Sequence, residues 1–93
     1  MEIGEVRLLS LEAVSNLQDD LDIQIDEEIK DETNLLEILD SMDIVNLIME
    51  TESLLEKKLK KYTPLANEHT FDAESSPLTS FKNWIDFISS QVN

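Results

Sequence analysis

The chain contains no cysteine, one histidine, one glycine and two prolines among its 93 residues. Without cysteine it has no disulfide framework, no zinc–thiolate site and no thiol nucleophile, so we expect a reducing, cytoplasmic setting. A single histidine disfavours a histidine-rich metal site or a Ser-His-Asp catalytic centre. No long apolar run is present, so we expect neither a signal peptide nor a membrane span. From these absences we predict that the protein is not an enzyme.

Basic residues are also scarce, and the acidic residues are unevenly distributed. Seven Lys and Arg stand against 21 Asp and Glu, which gives a net charge of −14. This balance argues against nucleic-acid binding and against a polybasic membrane-surface helix, because both need clustered cations. Residues 1–56 hold 17 acids and two bases, whereas residues 57–93 hold four acids and five bases. The acidity therefore belongs to one part of the molecule.

Length and apolar spacing predict one all-α domain over residues 1–93, a small bundle of three long helices plus a short one. The first helix is expected from Glu2 to about Leu17, and residues 18–34 are expected to form a long acidic loop. The side chains expected on the first helix's core face are Ile3, Val6, Leu9, Ala13 and Leu17. Those expected to hold the loop to the core are Ile29, Leu35 and Leu36.

The clearest predicted helix begins with Asp40 or Ser41 as its N-cap and continues to about Lys60. Residues 62–78 carry both prolines, so we expect a loop there, with at most a short helical turn. A last helix closes the chain; its candidate caps are Thr79 and Ser80, and its apolar stripe is Phe81, Trp84, Ile85 and Ile88.

Residues 41–56 carry two apolar stripes when placed on a helix at about 100° per residue. The first stripe, which is sufficient to anchor the helix on a small core, consists of Ile44, Leu47, Ile48 and Leu55, with Thr51 on the same side. Met42, Val45 and Met49 form the second stripe, roughly 130° away. We predict that this second stripe faces a partner, since three or four short helices bury two faces of one helix with difficulty. The alternative is that both methionines belong to the edge of the core.

Ser41 has two interpretations at the start of this helix. As a structural residue it is the helix cap. As a functional residue it carries a phosphoryl group, because the free N–H groups and the positive dipole end of a helix favour negative charge.

The residues around Ser41 resemble a known signature. Asp40-Ser41-Met42-Asp43-Ile44-Val45-Asn46-Leu47-Ile48 is similar to the Asp-Ser-Leu/Met signature of acyl carrier proteins and of their peptidyl and D-alanyl carrier relatives. The order of the predicted elements also resembles that family's four-helix bundle, and Phe81-Lys82-Asn83-Trp84-Ile85-Asp86-Phe87-Ile88 looks like its last helix.

The resemblance implies that Ser41 is joined by a phosphodiester to 4′-phosphopantetheine, with Asp40 as its acidic neighbour. The cofactor's thiol then holds an acyl or aminoacyl group as a thioester, in fatty acid, lipid or specialised biosynthesis. The implied partners are a phosphopantetheinyl transferase and loading or transferring enzymes with basic docking surfaces, and the carrier is expected to be a monomer. The implied partner-binding residues are Met42, Asp43, Val45, Asn46, Met49 and Glu52.

The chain departs from the family pattern in three places. No glycine precedes Asp40, so the entry Leu39-Asp40-Ser41-Met42 resembles that of D-alanyl and other specialised carriers. Asn46 stands where many fatty-acid carriers have Glu. Residues 56–77 are richer in lysine than is usual in the family, and the segment between the second and the last helix is longer. These departures bear on the cargo and indicate a specialised pathway.

The sequence also allows functions other than a carrier. One alternative function is that of a plain acidic helical adaptor in which Ser41 is only a helix cap. The lysines at 57, 58, 60 and 61 either complement the helix dipole or contact an acidic partner. His69 is expected to be a solvated loop residue.

The close spacing of four acids suggests calcium binding: Asp20, Asp22, Asp26 and Asp31. An EF-hand loop starting at Asp20 requires Gly at its sixth position and Glu at its twelfth, where this chain has Ile25 and Asp31. We therefore reject an EF-hand and retain only weak cation binding to the carboxylates. No metal site is predicted.

Overall fold

A computed structural model of the chain describes residues 1–20, 25, 28–66, 69–72 and 74–92. The described residues form four α-helices and no strand, so the predicted all-α bundle of three long helices and a short one is confirmed. The helices are α1 (Ile3–Asp20), α2 (Leu35–Ile38), α3 (Ser41–Leu59) and α4 (Phe81–Val92), with a 3₁₀ turn at Pro77–Thr79 before α4.

Helix α1 packs against α3 and α4, and its core face is the one that the apolar spacing predicts. Val6, Leu9, Ala13 and Leu17 are buried, but Ile3, in the first turn of the helix, is half exposed. The prediction of Ile3 as a core residue was therefore wrong. The helix also continues to Asp20, past the predicted end near Leu17, because its last residues are polar and add nothing to the apolar pattern.

The short helix α2 was not located by the sequence pattern, because four residues show no helical period. Asn34 caps it: its side-chain oxygen accepts a hydrogen bond from the Leu36 N–H at 2.9 Å. Leu35 is buried, and Ile29 and Leu36 pack at the edge of the core, as predicted. Leu21 and Ile23, whose alternation resembles a strand, lie outside the described residues.

Helix α4 supplies the largest buried side chains, and all four residues of its predicted stripe are buried. Ser80, one of the two predicted caps, accepts a hydrogen bond from the Asn83 N–H at 3.0 Å. The N–H groups of Phe81 and Lys82 donate to the carbonyl oxygens of Thr33 and Asp31 at 2.8 and 2.9 Å. These two bonds fix the acidic segment before α2 to the start of α4.

The α1 and α3 helices run antiparallel, as two cross-helix contacts show. Near one end, the Lys58 ammonium lies 3.0 Å from the Glu5 carboxylate, and near the other the Asn16 amide donates to Glu50 at 2.9 Å. The contact with Lys58 lowers the pKa of Glu5 from its usual value. Lys57 and Lys58 occupy the last turn of α3, where cations complement the helix dipole, a position that agrees with the first of the two predicted roles of the lysines.

Candidate functional site

Helix α3 begins in an exposed position, and Asp40 caps it. The Asp40 backbone is extended, and its carboxylate accepts a hydrogen bond from the Asp43 N–H at 2.8 Å. Leu39, directly before it, is buried and anchors this corner of the chain in the core. The cap is therefore Asp40, the first of the two candidates that the sequence offered.

Ser41 is the first residue of α3 and not its cap. Its side chain is exposed, and within the described part of the chain no group forms a hydrogen bond with its hydroxyl. The interpretation of Ser41 as a helix cap is therefore wrong, because the neighbouring carboxylate already accepts the N–H bond that defines the cap. The Ser41 hydroxyl is accessible to an enzyme.

The two apolar stripes of α3 separate as the helical wheel predicts. All five residues of the first stripe, including Thr51, are buried. The side chains of the second stripe are exposed: Met42 by 74%, Met49 by 61% and Val45 by 44%. The alternative that both methionines belong to the edge of the core does not agree with these fractions.

An apolar groove of about 230 Å³ lies beside the second stripe. One wall is α3 and the other is the segment that follows it; the lining side chains are Val45, Ile48, Met49, Glu52, Tyr62, Ala66, Thr70 and Phe71. Ser41, Val45 and Glu52 lie within about 40° of one another on the helix, so the serine is in line with the groove. Val45 is about 6 Å along the axis from Ser41, and Glu52 about 17 Å.

Glu52 holds the two walls of the groove together. Its carboxylate accepts a hydrogen bond from the Leu65 N–H at 2.7 Å, and the Tyr62 hydroxyl lies 3.5 Å from its other oxygen. Glu52 is half-buried, and Leu65 is buried beneath it. A residue predicted to bind partners therefore has an intramolecular role that its sequence position does not indicate.

The predicted partner-binding residues divide between two sides of α3. Val45, Met49 and Glu52 line the groove, whereas Asn46 lines a separate depression of about 370 Å³ between α1 and α3, which Met49 also borders. Asp43 is half-buried in the first turn, and Met42 projects from the exposed start of the helix.

Tyr62 and Phe71 were not predicted as site residues, although both are exposed and line the groove. The available signal was their composition, because large aromatic side chains are unusual in a polar, proline-containing loop. Their contribution to a shared wall becomes visible only when the loop is folded back on α3.

His69, Ser75 and Asp72 come together in the loop before the 3₁₀ turn. The Ser75 hydroxyl lies 3.2 Å from Nδ1 of His69, but the Asp72 carboxylate accepts hydrogen bonds from the N–H groups of Glu74 and Ser75. The first of these bonds is the main cause of the lowered pKa of Asp72. In a nucleophilic triad the carboxylate orients the imidazole, whereas here the Asp72 carboxylate accepts bonds from backbone N–H groups. The arrangement is therefore that of a hydrogen-bonded turn.

Neither a metal cluster nor a membrane-spanning helix is found in the described ranges. No three His, Cys, Asp or Glu side chains there are placed to share a cation. Asp22 and Asp26, two of the acids whose spacing suggests calcium binding, lie outside those ranges. None of the described helices combines the length and the hydropathy needed to cross a membrane.

Comparisons with protein-family models, with curated proteins and with solved structures found no match to this chain. The features of the chain that bear on its function are the groove, Ser41 and the acidic residues around them.

Proposed function

We propose that the protein is a carrier that holds an acyl or aminoacyl group as a thioester on 4′-phosphopantetheine attached to Ser41. The observation that supports this most directly is the exposed Ser41 in the first turn of α3, in line with an apolar groove and with no described group bonded to its hydroxyl. The resemblance of the surrounding residues to the carrier signature supports the same attachment site.

The start of α3 suits a phosphodiester. Asp40 accepts bonds from the N–H groups of Asp43 and Ile44, which leaves those of Ser41 and Met42 without an acceptor among the described residues. Free N–H groups and the positive end of the helix dipole favour an anion at this position. The negative charge of the Asp40 carboxylate would repel that of the phosphodiester. One carboxylate oxygen, however, already accepts the cap bond from the Asp43 N–H and points toward the helix.

The groove suits the remainder of the arm. Val45, Met49, Tyr62 and Phe71 present apolar surface, and Glu52 and Thr70 add polar atoms at intervals. When bound, the cofactor supplies the thiol that the cysteine-free chain lacks. The residues that line the groove would hold the arm beside α3, and in this proposal they perform no chemistry on the cargo.

The second stripe and its acidic rim are the proposed docking surface for partner enzymes. Met42, Val45 and Met49 provide adaptable apolar contact, while Asp43 and Glu50 are placed beside them. Acidic residues at the rim attract basic partner surfaces and raise the rate of encounter, an effect that weakens as salt is added. The partners are a phosphopantetheinyl transferase and the enzymes that load and unload the thioester, and the carrier acts as a cytoplasmic monomer.

The competing proposal is an adaptor that binds the same partners without a cofactor. Exposure of Met42 and Met49 supports either function, since both need an apolar docking surface. Covalent modification of Ser41 separates them.

The test is intact-mass measurement after incubation with coenzyme A and a permissive phosphopantetheinyl transferase. The wild type is expected to gain one phosphopantetheinyl group, and Ser41→Ala to gain none. Ser53→Ala is the matched control, because Ser53 is an exposed hydroxyl on the same helix, and its modification is expected to equal that of the wild type. An unmodified wild type, or an adduct that persists in Ser41→Ala, would show that Ser41 is not a carrier site and leave the adaptor.

A further inference from the structure

The outer face of α1 carries a stripe of uncharged residues that no described element covers. Gly4, Leu8, Leu11 and Ser15 lie within about 60° of one another on the helix. Leu8 is 70% exposed and Leu11 38%, and a Cβ added to Gly4 would meet nothing within 4 Å. The residues that α1 buries against the bundle lie on the opposite side of the helix. We name this stripe the outer stripe of α1.

A row of acids runs beside the outer stripe at heptad spacing. Glu5, Glu12 and Asp19 are seven residues apart, so their side chains recur about every 10 Å along the same edge of α1. Glu5 is paired with Lys58 at 3.0 Å, whereas Glu12 and Asp19 form no ion pair with a described residue. An uncharged stripe with a charged edge at this spacing is typical of a helix that packs against another helix.

We propose that the outer stripe of α1 binds one amphipathic helix of a partner protein, with apolar residues at heptad spacing and Lys or Arg along one edge. The negative charge of this chain favours a partner helix with positive charge. A second copy would bring another net charge of −14 and its own acidic edge to the contact, which like-charge repulsion disfavours. A basic edge on the incoming helix instead pairs with Glu12 and Asp19.

This surface is separate from the proposed docking surface on α3. The two faces belong to different helices, and the outer stripe lies on the side of α1 that points away from the bundle and therefore from α3. A carrier, or an adaptor, with both surfaces binds one partner through α1 while α3 and Ser41 remain accessible to another. The inference does not depend on modification of Ser41.

The test uses the full chain and a synthetic three-heptad helical peptide with Leu at its a and d positions and Lys along one edge. Binding of the labelled peptide is followed by fluorescence anisotropy, and the contact is mapped by the amide resonances of the ¹⁵N-labelled protein. The largest shifts are expected at Gly4, Leu8, Leu11 and Ser15. A peptide with Glu in place of every Lys is expected to bind at least about tenfold more weakly.

Two double variants of unchanged charge locate the site. Leu8→Ser with Leu11→Ser is expected to weaken the Kd for the Lys peptide by about tenfold or more, because apolar area leaves the contact. Met42→Ser with Met49→Ser, which removes similarly exposed apolar side chains from α3, is expected to leave the Kd within about twofold. Ser41→Ala should bind as the wild type does. All four substituted positions are exposed, and amide spectra of each variant check that the fold is retained.

Three results would overturn the proposal. The first is an unchanged Kd in the α1 double variant, and the second is equal binding of the Glu and Lys peptides. The third is a dimer of the protein itself in analytical ultracentrifugation that the α1 double variant abolishes, since this would make a second copy the occupant of the stripe.

Discussion

Lys60 ends α3 in a conformation that lysine adopts at a cost in free energy. Its φ of 61° and ψ of 26° place it in the left-handed region, and its N–H donates to the Glu56 carbonyl at 2.8 Å to close the last turn. Among the described residues it is the one non-glycine residue with a positive φ. Glycine, which has no Cβ, is the usual residue at such a helix end.

We predict that Lys60→Gly makes the protein more stable than Lys60→Ala by about 1 kcal/mol, because only glycine relieves the left-handed strain while both variants lose the same charge. The free energy of unfolding, measured with urea, gives the comparison. The same pair of substitutions at Lys61, which lies outside the left-handed region, is the control and should show no advantage for glycine. An equal advantage at both positions would mean that the strain at Lys60 does not contribute.

Asp40 and Ser41 show how adjacent polar residues differ in their roles. Both are common at helix starts, but Asp40 has extended backbone angles and the bond to the Asp43 N–H, whereas Ser41 already belongs to the helix. This difference of one position leaves the serine hydroxyl accessible. The carrier proposal depends on that accessibility.

At the scale of elements, the Glu52 side chain joins the two walls of the groove. The segment after α3 folds back along the helix, and the Glu52 carboxylate bonds the Leu65 N–H at 2.7 Å across the turn. The Leu65 side chain is buried at this place, so an apolar contact adds to the polar one. The positions of Tyr62 and Phe71, and with them the groove, follow from this attachment.

We predict that Glu52→Ala lowers the free energy of unfolding by about 1–2 kcal/mol, because the Leu65 N–H loses a charged acceptor in a half-buried position. Hydrogen exchange at the Leu65 amide should become faster, and exchange in α1 should change little. Glu56→Ala is the matched control: Glu56 lies one turn further along α3, exposed, and its side chain bonds no described residue. If both variants accelerate exchange at Leu65 equally, Glu52 does not hold the wall.

At the scale of the whole molecule, acidic charge opposes folding. The net charge of −14 produces repulsion that compaction increases, whereas the ion pairs at Arg7–Asp31, Glu5–Lys58 and Lys82–Asp86 lie at the surface. Surface pairs contribute little individually, about 0–1 kcal/mol each. We therefore expect repulsion among the acids to be the larger effect of charge on this fold.

We predict that the midpoint of thermal unfolding rises as sodium chloride increases from about 0.01 M to 1 M, since the screening length shortens from about 30 to 3 Å over that range. Glu12→Gln with Asp19→Asn, which removes two unpaired charges from α1, should raise the midpoint at low salt and reduce the gain on adding salt. A midpoint that falls with salt would show that ion pairing outweighs the repulsion.

The sequence by itself determined the elements that a repeating pattern specifies. The stripes on α3 and α4 and the buried face of α1 follow from helical spacing, because each position is fixed relative to its neighbours by the same rotation per residue. For that reason the sequence alone places Ile44 and Leu47 on a different face of α3 from Met42 and Val45. Ser41 was identified as the candidate site from its immediate neighbours alone.

Only the tertiary structure decided which of these surfaces are adjacent and which stay uncovered. Tyr62 and Phe71 reach the groove through a loop whose path depends on the Glu52 bond, a contact between residues with no fixed spacing. The exposure of Ile3 and of the outer stripe of α1 depends on which sides of α1 the helices α3 and α4 cover, which no local pattern records. Local periodicity determines the faces of each helix, whereas burial and hydrogen bonding between distant segments determine which faces remain free to bind.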